Sequence, residues 1–230
     1  MSSMRDIAAK LVTTLFPRLS YGVRAFSSEG EDLILQRIFD GKKKGVYIDV
    51  GAHHPFRVSN TYLLYKRRWT GINIDPMPGS MALFNRYRPK DINLEIGVSA
   101  VKQQLTYFIF NEPALNTFSP EKVKEYTQVS RYRVIDEKKI DTWPLAEILD
   151  TYLAKDVKID VLTIDAEGFD MEVLRSNNWD KYRPAYVLAE SPPFDVLQAG
   201  PCELCRFMQT VGYRMFAKTY YTYFFKNMNT

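Results

Sequence analysis

Short apolar runs alternate with amphipathic stretches along most of this chain. The alternation predicts a parallel sheet covered by helices on both faces. Residues 46–50 form a buried-type run that stops at Gly51, and residues 71–75 form a second, stopped by Pro76 and Pro78. Residues 92–98 read as a third strand and residues 105–110 as a peripheral fourth. Residues 159–164 and 186–189 are later strands ending at Asp165 and Glu190, the second stopped by Pro192 and Pro193. Between them lie helical patterns through Leu63, Leu64 and Lys66 (with Ser59 as cap), through Met81, Leu83 and Phe84, and over residues 143–153, 169–176 and 203–211. Residues 213–217 and 221–226 are too close together for a crossover, so they must form an antiparallel hairpin. The predicted fold is α/β and Rossmann-like, with a mostly parallel central sheet and a C-terminal antiparallel β-hairpin.

The pattern loosens between Asn111 and Lys139, apart from a helical stretch at 121–126. A connection this long suggests a substrate lid around 111–140. Ahead of the first strand, Ile7, Leu11, Val12, Leu15 and Phe16 mix with Arg5, Lys10 and Arg18. We read residues 1–25 as a helical extension packed on a single domain spanning 26–230. With 46% hydrophobic and 25% charged residues the composition is that of a globular protein. No apolar run is long enough to span a bilayer and no secretory signal is evident, so cytoplasmic residence is expected. A net charge of +4 without a basic stripe argues against a nucleic-acid partner. The two cysteines, Cys202 and Cys205, are spaced C-x-x-C but have no second pair or nearby histidines for zinc, so reduced thiols are expected.

In such sheets ligands bind beyond the carboxyl ends of the strands. The residues there are Asp49, Gly51, His53 and His54 after the first strand, Asp75 after the second and Ser99 after the third, with Asp165, Glu167 and Glu190 later. The loop Asp49-Val50-Gly51-Ala52-His53-His54-Pro55 has one glycine and two imidazoles, which does not make the three-glycine cradle that a pyrophosphate needs. S-adenosylmethionine carries no phosphate. It needs one close backbone approach, which Gly51 offers, and an acceptor for its ribose hydroxyls, which Asp75 offers.

Further stretches add specificity by their order and spacing. They are Phe26-Ser27-Ser28-Glu29-Gly30-Glu31-Asp32, Tyr47-Ile48-Asp49-Val50-Gly51-Ala52, Ser59-Asn60-Thr61-Tyr62, Gly71-Ile72-Asn73-Ile74-Asp75-Pro76, Arg88-Pro89-Lys90-Asp91 and Ile164-Asp165-Ala166-Glu167-Gly168-Phe169-Asp170. Through them the chain resembles the FkbM family of methyltransferases over most of its length. The resemblance implies a class I methyltransferase fold and O-methylation, with acceptors such as sugars of surface glycans or hydroxyls of natural products. It also implies cofactor contacts among Glu29, Asp32, Asp49, Gly51, Ala52, Asn60, Asp75, Pro76 and Ser99. The chain departs from the family at His53-His54-Pro55, where Asn and a small residue are common, and at Ser28, where Gln is common. The first departure points to a different proton acceptor.

Methyl transfer from a sulfonium requires alignment and removal of the acceptor's proton. His53, His54, Asp165 and Glu190 are the catalytic candidates. Asp165 and Glu190 end strands expected to be neighbours, so they could instead hold a divalent metal, an option without direct support. Asn116, Thr117 and Phe118 are substrate candidates, Lys122, Lys124, Arg131 and Arg133 could meet a phosphate, and the acceptor could be a small molecule or a sugar, including a nucleotide- or lipid-linked one. The rival readings are a nucleotide-dependent sugar oxidoreductase or epimerase, which the missing glycines oppose, and a non-catalytic Rossmann-like binding domain. The oligomeric state is not legible.

Overall fold

The computed structural model describes residues 11–16, 22–191 and 202–229. Helix α1 (Glu31–Ile38) leads into β1 (Val46–Val50), α2 (Tyr62–Lys66), β2 (Thr70–Ile74), α3 (Met81–Tyr87) and β3 (Ile92–Leu94). The chain then forms β4 (Gly97–Val98), β5 (Gln103–Phe110), α4 (Pro120–Tyr126) and β6 (Val134–Trp143). It continues through α5 (Leu145–Tyr152), β7 (Val161–Ile164), α6 (Asp170–Arg175), β8 (Tyr186–Glu190), α7 (Glu203–Thr210), β9 (Tyr213–Lys218) and β10 (Thr222–Asn227).

Seven strands make the main sheet in the order β3-β2-β1-β7-β8-β10-β9. The first five are mutually parallel, and β10 runs antiparallel to both β8 and β9. This is the expected sheet with its one antiparallel strand. Period-two alternation decides what each face buries. From β1, Ile48 and Val50 enter the core shared with Leu145, Ile148, Val173, Leu174, Leu204 and Met208 of α5, α6 and α7. Tyr47 points the other way, into the core with Leu35 of α1, Leu64 of α2 and Trp69.

Two expectations need correction. Residues 92–98 are not one strand: β3 stays in the main sheet, while Gly97 and Val98 pair with Thr142 and Trp143 in a second sheet ordered β4-β6-β5. The irregular stretch also ends earlier than predicted, because β6 begins at Val134. That strand carries Asp136, Glu137, Lys138 and Lys139 and shows no apolar alternation; antiparallel pairing with β5 supplies what its own pattern lacks. The N-terminal extension is described only at 11–16, of which 11–15 are helical. There Leu11, Val12, Leu15 and Phe16 are exposed. The rest of that extension and the Pro192-Pro193 stop lie outside the described residues.

One buried side chain ties the first half of the sheet to the loop after β1. Arg88, fully buried, donates to the Pro55 carbonyl from Nε (3.1 Å) and Nη2 (2.5 Å), to Ser59 Oγ (2.7 Å), Thr61 Oγ1 (2.8 Å) and Asn73 Oδ1 (3.3 Å). Removing one member of such a network strands the others without partners. Arg88→Met is therefore expected to destabilise the fold by about 2–4 kcal/mol. Urea denaturation checks this, and a midpoint matching wild type would contradict it.

Candidate functional site

The carboxyl ends of β1, β2, β7 and β8 open into a cavity of about 520 Å³. That size is typical for a small-molecule site. Its wall includes Gly51, His53, Asp75, Pro76, Asp165, Glu167 and Glu190 from the strand ends, and Glu29 from the turn before α1. Asn116, Phe118, Lys122 and Tyr126 come from the segment around α4, Tyr107 from β5 and Tyr221 from the turn before β10.

The first wall is the loop after β1. Gly51 has φ +79°, and a Cβ there would lie 1.7 Å from the Asp165 carbonyl oxygen. Glycine is thus required by the packing of two strand ends, as well as by closeness to the cavity. His53 (φ +51°) and Val58 (φ +53°) also adopt left-handed backbone, and both line the cavity. Such conformations gather where a site over-determines the backbone, and for a β-branched valine they are rare. The turn is held by Asp75, whose Oδ2 accepts the His53 N–H (2.9 Å) and whose Oδ1 accepts the Met77 N–H (2.9 Å). Each oxygen keeps a lone pair for a further donor. The buried Nε2 of His53 has no hydrogen-bond partner. Burial first and Arg57 second lower this imidazole's pKa, which keeps it neutral.

The second wall is carboxylate-rich. Asp165 Oδ1 is buried without a partner, and burial together with Glu190, Glu167 and Asp170 raises the pKa of Asp165 well above the usual range. Glu190 is pushed up to about 8 by burial and by Asp170 and Glu167. Among the described residues no three His, Cys, Asp or Glu side chains are placed to hold a metal ion. Glu29 Oε2 accepts the Tyr221 N–H at 3.0 Å, so a hairpin residue fixes one end of this wall.

The third wall is the covering segment. Thr117 Oγ1 donates to the Glu167 carbonyl (2.8 Å), the Tyr126 hydroxyl donates to the Glu167 carboxylate, and the rings of Phe118 and Phe169 lie 5.7 Å apart. Lys122 enters the cavity already paired with Glu125 at 2.9 Å.

Several predicted site residues do not reach the cavity. Asp49 sits on the same strand face as Tyr47, where alternation turns it towards α2. It accepts from Thr61 Oγ1 at 2.6 Å, and burial pushes it up to about 6. Asn60 donates to Thr163 Oγ1 (3.0 Å), Ala52 packs against Met81 and Phe84, and Asp32, in the first turn of α1, accepts from Phe26 N–H (2.7 Å) and Ser27 Oγ (2.8 Å) of the preceding segment. Ser99 is drawn into the second sheet with β4 and bonds to Thr142 Oγ1 (2.7 Å) and the Val101 carbonyl (2.8 Å). His54 is no free base: its Nδ1 accepts the N–H groups of Phe56 and Arg57, both at 3.1 Å. Thr117 spends its hydroxyl on Glu167. Lys124, Arg131 and Arg133 are exposed and away from the cavity. Glu29, Gly51, His53, Asp75, Pro76, Asn116, Phe118, Asp165 and Glu190 do share the cavity.

Sequence reasoning missed Tyr107, Tyr126, Tyr221 and the side-chain role of Glu167. A signal existed for one of them, because Lys122 and Tyr126 stand four residues apart on one face of α4.

Residues 49–215 match the model of the methyltransferase FkbM domain. The chain belongs to the FkbM methyltransferase family. It is an S-adenosylmethionine-dependent methyltransferase, and its main sheet is that of the class I methyltransferase fold. No curated protein matches it. Among solved structures, the FkbM chain overlays on a TehB-like SAM-dependent methyltransferase from Corynebacterium glutamicum with TM-score 0.41 and 9% identity, covering 96% of this chain and 99% of that one. It overlays on the Burkholderia thailandensis 1,6-didemethyltoxoflavin-N1-methyltransferase, solved with bound 1,6-didemethyltoxoflavin and S-adenosylhomocysteine, with TM-score 0.42 and 10% identity, covering 99% and 91%. Membership rests on the FkbM match and not on these overlays. No helix of the FkbM chain among the described residues is long and apolar enough to cross a membrane.

Proposed function

We propose that this FkbM protein methylates a hydroxyl oxygen of a sugar acceptor in surface-glycan or natural-product biosynthesis, with His53 taking the acceptor's proton. The observation that carries the reading is that His53, whose Nε2 has no hydrogen-bond partner, lines the cavity shared by Gly51 and Asp75. S-adenosylmethionine supplies an electrophilic methyl group on a sulfonium that leaves as a neutral thioether.

The residues present suit that cofactor. Asp75 would accept from ribose hydroxyls, while Glu29, Asp165 and Glu190 would face its positive charges. The unpartnered Asp165 Oδ1 is the kind of orphan acceptor that a buried ammonium would satisfy. Ile74, Pro76, Ile96 and Phe169, which line the cavity, would offer the adenine an apolar wall. Asn116, Phe118, Tyr107 and Tyr126 would then receive the acceptor, with residues 111–133 serving as the lid.

The test is transfer of isotopically labelled methyl from S-adenosylmethionine to a panel of methyl glycosides, nucleoside-diphosphate sugars and primary amines. A methyl ether in the product's NMR spectrum is expected with one or more sugars. Label on nitrogen alone, or none on any sugar by protein that binds the cofactor, would overturn the reading.

A further inference from the structure

The pair Cys202 and Cys205 lies outside the methyl-transfer cavity, and no step proposed above uses it. Both are free cysteines and half-buried. Cys202 is the residue that caps α7. Its backbone is outside the helix (φ −58°, ψ 161°), and its Sγ accepts the Cys205 N–H at 3.3 Å. A spacing of three residues across a helix start folds the second side chain back on the first. Here it brings the two Sγ atoms to 2.9 Å.

A disulfide needs an S–S length of about 2.05 Å, so closure asks less than about 1 Å of sulfur movement. The helix that carries the pair is anchored independently, because Leu204 and Met208 are buried in the main core. No third metal ligand stands nearby among the described residues, so two sulfurs must account for whatever chemistry occurs here.

The environments of the two thiols differ. Burial and the neighbouring Cys202 push the Cys205 thiol up to about 12. It is a poor nucleophile at neutral pH, which leaves Cys202 as the attacking sulfur.

We propose that Cys202 and Cys205 form a dithiol site for thiol–disulfide exchange, oxidised to an intramolecular disulfide by a small disulfide of the glutathione class. The Cys202 thiolate attacks one sulfur of oxidised glutathione and expels one glutathione thiolate. Cys205 then loses its proton and attacks the Cys202 sulfur of the mixed disulfide, expelling the second. Two electrons pass from the protein to the reagent; one disulfide is consumed, one is formed, and two glutathione thiols are released. The site is independent of the acceptor reading given above.

The test uses the reduced full chain in glutathione mixtures running from fully reduced to mostly oxidised, quenched with acid and analysed by intact mass and peptide mapping. The expected result is loss of two hydrogens in mass and a cross-linked Cys202–Cys205 peptide, reversed by reduced glutathione. Cys205→Ser is expected to stop at a single glutathione adduct on Cys202. Wild-type protein that keeps both thiols at the oxidised end overturns the proposal. So does wild type that accumulates glutathione adducts without closing, or that closes only after unfolding in urea. The wild-type arm decides the matter even if the variant folds poorly.

Discussion

Gly51→Ala is expected to weaken S-adenosylmethionine binding at least about tenfold and to destabilise the protein by about 2–5 kcal/mol, through two mechanisms that act together. Alanine at φ +79° adopts a backbone conformation that L side chains avoid. Its Cβ would also fall 1.7 Å from the Asp165 carbonyl, which is backbone and cannot rotate aside. Something must move, and the parts that can are the exits of β1 and β7. Those exits carry His53 and Asp165, so the damage goes straight into the cavity wall. Calorimetric titration of the cofactor and a thermal melt measure both effects. Wild-type affinity with a wild-type melting temperature would show that the strand ends are not packed as described.

His53→Asn is expected to lower kcat by about 10²–10⁴-fold while leaving cofactor affinity and melting temperature close to wild type. Asparagine is chosen because it tolerates left-handed backbone, so the loop keeps its shape while the base is lost. The wild-type pH profile supplies an independent check. A base works when unprotonated, and burial with Arg57 lowers the His53 pKa below the ordinary histidine value of 6.5. The acidic limb of kcat/KM for S-adenosylmethionine, which reports the free enzyme, should then lie below 6.5. If Glu190 were the base, its raised pKa would put that limb near 8. A limb near 8, or an undiminished His53→Asn variant, transfers the role to the carboxylates.

What the sequence revealed was set by alternation and strand ends. β1 is legible residue by residue because its positions are buried from Tyr47 to Val50, and Gly51 marks its end. β7 and β8 are legible for the same reason, and their pairing follows from the parallel pattern that places Asp165 beside Glu190. The same logic, carried one step further, would have removed Asp49 from the cofactor candidates, since its strand position faces α2 with Tyr47. β6 was invisible because a solvated strand paired mainly to one long neighbour can carry four consecutive charges. Tyr107 and Tyr221 belong to the cavity only through tertiary placement, which no local pattern encodes. His53 is an intermediate case. Its left-handed backbone is one that Asn and His are among the few side chains to accept readily.

β10 lies inside the sheet, between β8 and β9, although it follows both in the chain. Glu29 and the Tyr221 N–H that it accepts are 192 residues apart, and Glu31 accepts from Thr222 Oγ1 across 191. A ribosome adding about 5–20 residues per second takes on the order of seconds to pass from β8 to β10. Through that interval β8 is a bare strand edge, able to pair with any other extended chain it meets. The turn holding Glu29 is also without its partner. The nascent protein therefore passes through a stage with most of its core and no finished cofactor wall, when S-adenosylmethionine has no complete site in which to protect it.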